Sequence, residues 1–77
     1  MDKTIDVHGM TVDMARRAIE RFIAECDSSV TRIVIVHGFQ HGDALRRMIQ
    51  SPNGIRSKRI RNKRFTKNRG ETIYELY

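Results

Sequence analysis

The sequence lacks most of the features that cross-link or anchor a small chain. Its 77 residues include one cysteine, Cys26, which excludes a disulfide framework and favours a reducing compartment. Cys26 ends an apolar helical stripe, so a buried structural thiol is expected there rather than a nucleophile. The N-terminus has no signal-peptide h-region, and no stretch approaches the ~20 apolar residues that cross a bilayer. Export and membrane insertion are therefore disfavoured, and a cytoplasmic location is expected.

Aromatic residues are scarce as well. Tryptophan is absent and aromatics make up 6% of the chain, so a stacking platform for single strands is not evident, and Phe39 is the one loop candidate. The hydrophobic content of 39% permits one modest core at this length. A single domain spanning residues 1–77 is expected.

Positive charge is concentrated near the end of the chain. Residues 1–54 carry seven basic and seven acidic side chains, so the formal net charge of +6 resides in residues 55–77. Such a cluster suits polyphosphate partners, and its affinity should fall with salt. The alternative is a solubilising or disordered basic run, although Ile55, Ile60 and Phe65 interrupt it and a strand-like ending follows.

Hydrophobic spacing predicts the element order β-α-β-α-β-β. The predicted elements are a strand at 5–8, a helix at 12–26, a strand at 33–36, a helix that follows Asp43 and ends before Pro52, and strands at 55–65 and 72–76. Thr11 and Asp43 are the predicted N-caps of the two helices. The first strand–helix–strand unit requires parallel strands, and the apolar run at 33–36 predicts a central strand covered on both faces.

Both parallel strands end in Val-His-Gly, which places polar side chains at the sheet edge where α/β proteins bind ligands. Asp6 and His8 are two residues apart on a strand and so point to the same side. His37 ends the second strand, and His41 follows in a glycine-flanked loop. We expect Asp6, His8 and His37 to converge, with His41 nearby, as a group suited to general acid–base chemistry.

The sequence leaves other roles for these residues open. Asp6 and His8 can pair simply to tie down a strand end, and His37 alone is expected to be structural. Asp6, His8, His37 and His41 also include the ligand types of a two-histidine, one-carboxylate metal site, although strand-end histidines are a weak signal for one. No cofactor is predicted, and a divalent metal stays an open alternative.

Three segments resemble the Smr (small MutS-related) domain family. Residues 5–11 are similar to the family's Leu-Asp-Leu-His-Gly-Leu-Thr opening. Residues 35–38, followed by Gly42, Leu45 and Arg46, resemble its His-Gly-x-Gly-x-Gly-x-Leu-Arg segment, and residues 68–76 resemble its closing Gly-x-Thr strand. The resemblance covers essentially the whole chain in the right order.

The resemblance implies an α/β fold like the C-terminal domain of bacterial initiation factor three, a two-layer α+β sandwich with two helices on a mixed four-stranded sheet. It also implies a nucleic-acid role. Some family members nick DNA or cleave RNA, whereas others are modules appended to mismatch-repair-like ATPases or plant RNA-binding repeat proteins. Membership by itself therefore does not establish catalysis.

Carried over by position, Asp6 and His8 match the family's Asp-x-His motif, and Gly38, Gly42 and Arg46 match its second motif. The chain departs from the family at Phe39 and Gln40, where many members have a basic residue and a glycine. The loop is therefore bulkier and less charged, which opposes close backbone approach to a phosphate.

The resulting hypothesis is a nucleic-acid-binding Smr-like domain that nicks DNA or RNA, with Asp6 and His8 as the reaction centre. Arg46 would position the strand, and the other predicted phosphate contacts are Arg56, Lys58, Arg59, Arg61, Lys63, Arg64 and Lys67. The main alternative is a non-enzymatic nucleic-acid-binding or protein-interaction module with structural histidines. A metal-dependent hydrolase of small phosphoesters is a third. A larger protein partner is left open, and no membrane partner is expected.

Overall fold

The computed structural model describes residues 1–38, 43–68 and 70–77. In these ranges the elements are β1 (Asp2–Asp6), α1 (Val12–Glu25), β2 (Arg32–Val36), α2 (Ala44–Gln50), β3 (Ile60–Phe65) and β4 (Glu71–Leu76). The predicted order β-α-β-α-β-β and the α+β class are confirmed.

The four strands form one mixed sheet in the order β1-β2-β4-β3. β1 and β2 are parallel, as predicted, while β4 pairs antiparallel with both β2 and β3. Asp6 lies beside Val36, and the Gly70 carbonyl accepts hydrogen bonds from the backbone N–H groups of His37 (2.8 Å) and Gly38 (3.1 Å). The ends of β1 and β2 and the turn before β4 therefore meet at one end of the sheet, here called the β1–β2 end.

The core lies on one face of this sheet. Ile33 pairs with Tyr74 and Ile35 with Thr72, and all four side chains are buried. Both helices cover this face, with Ala15, Ile19 and Ile23 of α1 and Met48 and Ile49 of α2 buried against it. A fully buried aliphatic side chain stabilises the fold by about 1.5–3 kcal/mol relative to an exposed one, so each side chain of this layer matters for the stability of so small a domain.

Among the described residues, no helix or strand covers the opposite face of the sheet. Val34 and Val36 are half-buried there, so the expectation that β2 is covered on both faces is wrong. The reason is that both helices pack on the same side, which leaves alternate residues of β2 facing water. β2 is nevertheless an interior strand, as predicted, between β1 and β4.

The predicted β3 started too early, because residues 55–59 form a connection outside the sheet and the strand begins at Ile60. Ile55 is buried in the core. A Cβ on Gly54 would lie 1.6 Å from the Met48 carbonyl oxygen, so α2 and this connection touch backbone to backbone. β1 also begins earlier than predicted and ends at Asp6. Of the helices in the described ranges, neither has the length and apolar content needed to span a bilayer.

Candidate active site and nucleic-acid interface

Asp6 and His8 form an exposed pair at the β1–β2 end. One carboxylate oxygen of Asp6 lies 2.5 Å from His8 Nδ1 and accepts a hydrogen bond of 3.0 Å from the His8 backbone N–H. The two side chains are 53% and 69% exposed. The side-chain hydrogen bond from His8, followed by its backbone hydrogen bond, holds the pKa of Asp6 below its ordinary value. The predicted placement of both side chains on one side is confirmed.

This contact determines what the imidazole can do. Because the carboxylate accepts from Nδ1–H, the proton of a neutral imidazole is held on Nδ1 and Nε2 is left as an acceptor. The carboxylate also stabilises the imidazolium that forms when Nε2 takes a proton. An exposed pair of this kind can accept a proton from a nucleophile and return it to a leaving group.

Two turns around the pair use glycine. Gly9 has φ of +79° directly after His8, and Gly38 has φ of +71° at the end of β2. A Cβ on Gly38 would lie 3.3 Å from His8 Cβ, so the glycine leaves room for the histidine to stand at the edge. α1 starts soon afterwards, and the Thr11 hydroxyl accepts from Met14 N–H at 3.1 Å, which confirms the predicted N-cap.

His37 does not join this pair, and the expected convergence is wrong for this residue. It is 4% exposed, and its Nε2 lies 3.0 Å from Thr72 Oγ1. The Gln50 side chain donates to the same hydroxyl at 3.1 Å, so the histidine links β2, β4 and α2. Side chains alternate across a strand, and Val36 shares the side of Asp6, so His37 points to the helix-covered side.

The structure brings together only two of the three described residues that the sequence left open as possible metal ligands, Asp6 and His8. No three His, Cys, Asp or Glu side chains in the described ranges form a group that could hold a metal ion. Asp6 and His8 are exposed while His37 lies in the interior. His41 and Gly42, together with Phe39 and Gln40, lie outside the described residues.

Two of the expected phosphate-binding cations are occupied within the fold. The Arg59 guanidinium donates to the carbonyls of Ile23 (3.2 Å), Cys26 (2.5 Å) and Asp27 (3.0 Å), closing the end of α1. Lys63 Nζ donates to the Ser51 carbonyl at 2.5 Å and lies 5.0 Å from the centre of the Tyr74 ring. Burial lowers the pKa of Lys63. Both side chains bind protein groups in this structure, which favours a structural role for them, and their contact with phosphate stays a prediction.

Arg64 and Arg46 are in ion pairs. Arg64 Nε lies 3.1 Å from Glu75 on the uncovered sheet face. Arg46 lies 3.0 Å from Asp43, which also reaches Arg47 at 3.7 Å. Asp43 occupies the N-cap position of α2, as predicted. Its side chain makes these ion pairs and no capping hydrogen bond.

The other four expected contacts are exposed: Arg56, Lys58, Arg61 and Lys67. Within the part of the chain that the structure describes, none of these side chains forms an ion pair with an acidic side chain. These four cations are best placed to bind a polyanion, because binding would not first have to break an ion pair within the protein.

Comparison with known proteins identifies the family. Residues 5–67 match the family model of the Smr domain. The chain belongs to the Smr domain family. Its fold is similar to the crystal structure of the Smr domain of Thermus thermophilus MutS2, with a TM-score of 0.83 and 24% sequence identity over 97% of this chain and 98% of that chain. No curated protein matches the chain.

The family assignment confirms the resemblance drawn from the sequence, and the Smr family is of a nucleic-acid-binding and nicking type. In this Smr domain, the first motif places Asp6 and His8 at the exposed pair. In the second motif, Gly38 lies against His8. His37, from the same motif, is buried in the interior. The two motifs thus meet at the β1–β2 end, one supplying exposed groups and the other the supporting backbone.

One exposed residue of this Smr domain was not singled out from the sequence. Phe65, the last residue of β3, has 66% of its surface exposed. The feature of the sequence that could have indicated an exposed ring is its position, directly after Lys63 and Arg64 and before Thr66 and Lys67. That signal is ambiguous, because an aromatic residue in a strand is more often buried than exposed.

Proposed function

We propose that this Smr domain binds nucleic acid and cleaves a phosphodiester, with His8 as the general acid–base and Asp6 as the residue that orients it. The exposed Asp6–His8 pair carries the proposal. At 2.5 Å from the carboxylate, the imidazole is held in one tautomer while most of its surface faces solvent. An exposed, oriented imidazole at a strand end is suited to a substrate that cannot enter a pocket, such as a polynucleotide.

The chemistry requires one group that moves a proton. His8 Nε2 takes the proton from the attacking oxygen, a water or an RNA 2′-hydroxyl, as that oxygen forms its bond to phosphorus. The bond from phosphorus to the leaving oxygen breaks, and the imidazolium returns the proton to that oxygen. The Asp6 carboxylate, whose pKa is held below its ordinary value by the hydrogen bonds from His8, stabilises the imidazolium between these steps.

The exposed cations supply binding and not chemistry. Arg56, Lys58, Arg61 and Lys67 would contact backbone phosphates without reading sequence. If all four did so on duplex DNA, the slope of log affinity against log salt would steepen by roughly 0.9 per contact. Each neutralising substitution should therefore weaken binding and flatten this slope by about one unit.

A non-enzymatic binding module is the second candidate, and one observation favours it. The Asp6 carboxylate also accepts from the His8 backbone N–H, so it has a structural task in turning the chain at the end of β1. Under this alternative the pair only stabilises the turn, and nucleic acid is bound but not cut.

Cleavage of supercoiled plasmid and of a structured RNA, followed alongside binding, tests the proposal. His8→Ala and Asp6→Asn should bind like the parent protein and cut at least about 100-fold more slowly, the usual contribution of a general acid–base. Asp2→Asn is the matched control, because Asp2 is exposed on the same strand and at the far end of the sheet. It should cut at the parent rate.

Divalent metal and chelator arms complete the experiment. Salt-dependent binding by a parent protein that never cuts, with or without metal, would replace the endonuclease proposal by the binding module. Cutting that persists unchanged in His8→Ala would remove the assigned reaction centre. Parent and variants should be purified identically, and a mock purification from cells without the protein gives the rate of any contaminating nuclease, which is subtracted before the variants are compared.

A further inference from the structure

An aromatic ring stands in solvent at the end of β3. Phe65 is 66% exposed, whereas Tyr74 on the neighbouring strand is fully buried. Phe65 pairs with Thr72 and so projects on the helix side of the sheet, but β3 is an edge strand. In that position the ring gains little from hydrophobic burial, so its contribution to folding is small.

Hydrogen bonds among polar groups follow the ring along the chain. The Thr66 hydroxyl accepts from the Asn68 N–H at 3.0 Å and donates to the Asn68 carbonyl at 2.9 Å. The Asn68 side chain in turn accepts from the Gly70 N–H at 2.9 Å. None of these bonds involves the Phe65 side chain, so the ring can be replaced without removing a partner from any of them.

The ring also lies at the same end of the sheet as the Asp6–His8 pair. Asp6 pairs with Val36, Val36 with Glu71, and the adjacent Thr72 with Phe65. β1 and β3 are three strand spacings apart in the sheet, so the distance between their axes is roughly 14 Å. Asp6 lies on the side of the sheet away from the helices and Phe65 on the helix side, so a strand of nucleic acid would contact both features only by wrapping around this end of the sheet.

The charged side chains near Phe65 in the chain indicate which class of molecule the ring would bind. Lys67 is exposed two residues further along the chain, and Arg64 precedes the ring with its guanidinium directed to Glu75 on the other face. A flat apolar face beside a solvated cation matches a nucleotide, which offers a π-face and a phosphate together. An apolar protein partner would use the ring but not the cation.

We propose that Phe65 is a stacking site for an unpaired base and that this domain therefore prefers single-stranded or frayed nucleic acid over intact duplex. The inference rests on the proposed nucleic-acid binding but not on the proposed cleavage. Stacking requires an open base face, and a base inside a duplex already has both faces covered.

Binding of fluorescent oligothymidylate, oligouridylate and a duplex of equal length tests the inference. Phe65→Leu should weaken binding of the single strands roughly 5- to 100-fold and leave the duplex unaffected, while Phe65→Tyr should keep the parent affinity. Tyr77→Leu is the matched control, because Tyr77 is 74% exposed at the opposite end of the sheet. It should change neither. The salt dependence should be the same in all of these variants, since no charge is lost.

A second readout uses the absence of tryptophan from the sequence. Phe65→Trp provides a single indole whose emission should be quenched when oligothymidylate binds, and Tyr77→Trp should show no such quenching. Equal binding of single strands by Phe65→Leu and the parent would overturn the stacking site while leaving the proposed function standing. Failure of the parent to bind any nucleic acid would overturn both, whereas stacking without cleavage would support this inference alone.

Discussion

Replacing Arg59 with glutamine should lower the free energy of unfolding by about 3 kcal/mol while leaving nucleic-acid binding close to that of the parent. The guanidinium donates to the carbonyls of Ile23, Cys26 and Asp27 at 2.5–3.2 Å, with a longer contact of 3.4 Å to Val30. The carbonyls of Ile23, Cys26 and Asp27 lie in the last turn of α1 or just after it, where few carbonyls are bonded within the helix. Those of Ile23 and Asp27 also accept one backbone N–H each, from Cys26 and Val30, so Arg59 supplies their second hydrogen bond.

The magnitude comes from counting these bonds. A hydrogen bond from a charged donor contributes about 1.5–3 kcal/mol, and the positive charge at a helix C-terminus adds about 0.3–1 kcal/mol. The glutamine side chain still has one amide group that can donate, and the exposed Asp27 carbonyl can bond to water instead. The expected loss of stability is therefore smaller than the sum of the individual hydrogen bonds. About 3 kcal/mol corresponds to a fall in Tm of roughly 12–24 °C for a domain of this size.

Thermal and urea unfolding of Arg59→Gln and Arg61→Gln would measure the effect, and oligonucleotide binding would be recorded on the same samples below the lower Tm. Arg61 is the matched control, because it is an exposed arginine two residues away with no ion pair among the described residues. It should show the reverse pattern of parent-like stability and weaker binding. An Arg59→Gln protein as stable as the parent, but with binding reduced as in Arg61→Gln, would refute the structural role of Arg59.

Three further predictions address the fold and the pair. Gly54→Ala should lower the free energy of urea unfolding by about 3 kcal/mol, the upper end of the usual cost of overpacking, because the new Cβ would lie 1.6 Å from the Met48 carbonyl oxygen; a loss below about 1 kcal/mol would contradict this contact. Thr72→Val should cost about 1–3 kcal/mol by the same assay, since it leaves His37 Nε2 unpaired in the interior, and a neutral effect would argue against that bond. The folded-state pKa of Asp6 lies below its ordinary 3.8, so its stabilising effect is complete above that value and is lost as pH falls through the lower folded value. The Tm difference between the parent and Asp6→Asn should therefore shrink in acid, and a difference independent of pH would contradict the assignment.

Local patterns in the sequence were sufficient for the type and order of the elements and for the Asp6–His8 pair, although not for the bounds of β1 and β3. The helical spacing of Ala15, Ile19 and Ile23 specifies α1, because residues three or four apart share a helix face whatever packs against them. Asp6 and His8 share a side for the same kind of reason, since strand side chains alternate with a period of two. The order of the elements and the parallel pairing of β1 and β2 follow from these local rules and from the chain connection.

Only the tertiary structure determined which polar side chains are exposed and which are bound to other groups of the protein. His37 and His8 sit in the same Val-His-Gly context, yet one is buried against Thr72 and the other is exposed, because the two strands present opposite sides at these positions. Arg59 and Arg61 belong to one basic run, yet only Arg59 reaches the end of α1, more than 30 residues earlier in the chain. Sequence spacing determines which direction a side chain takes from its own element, whereas the groups that meet it there come from distant segments and are known only once the chain has folded.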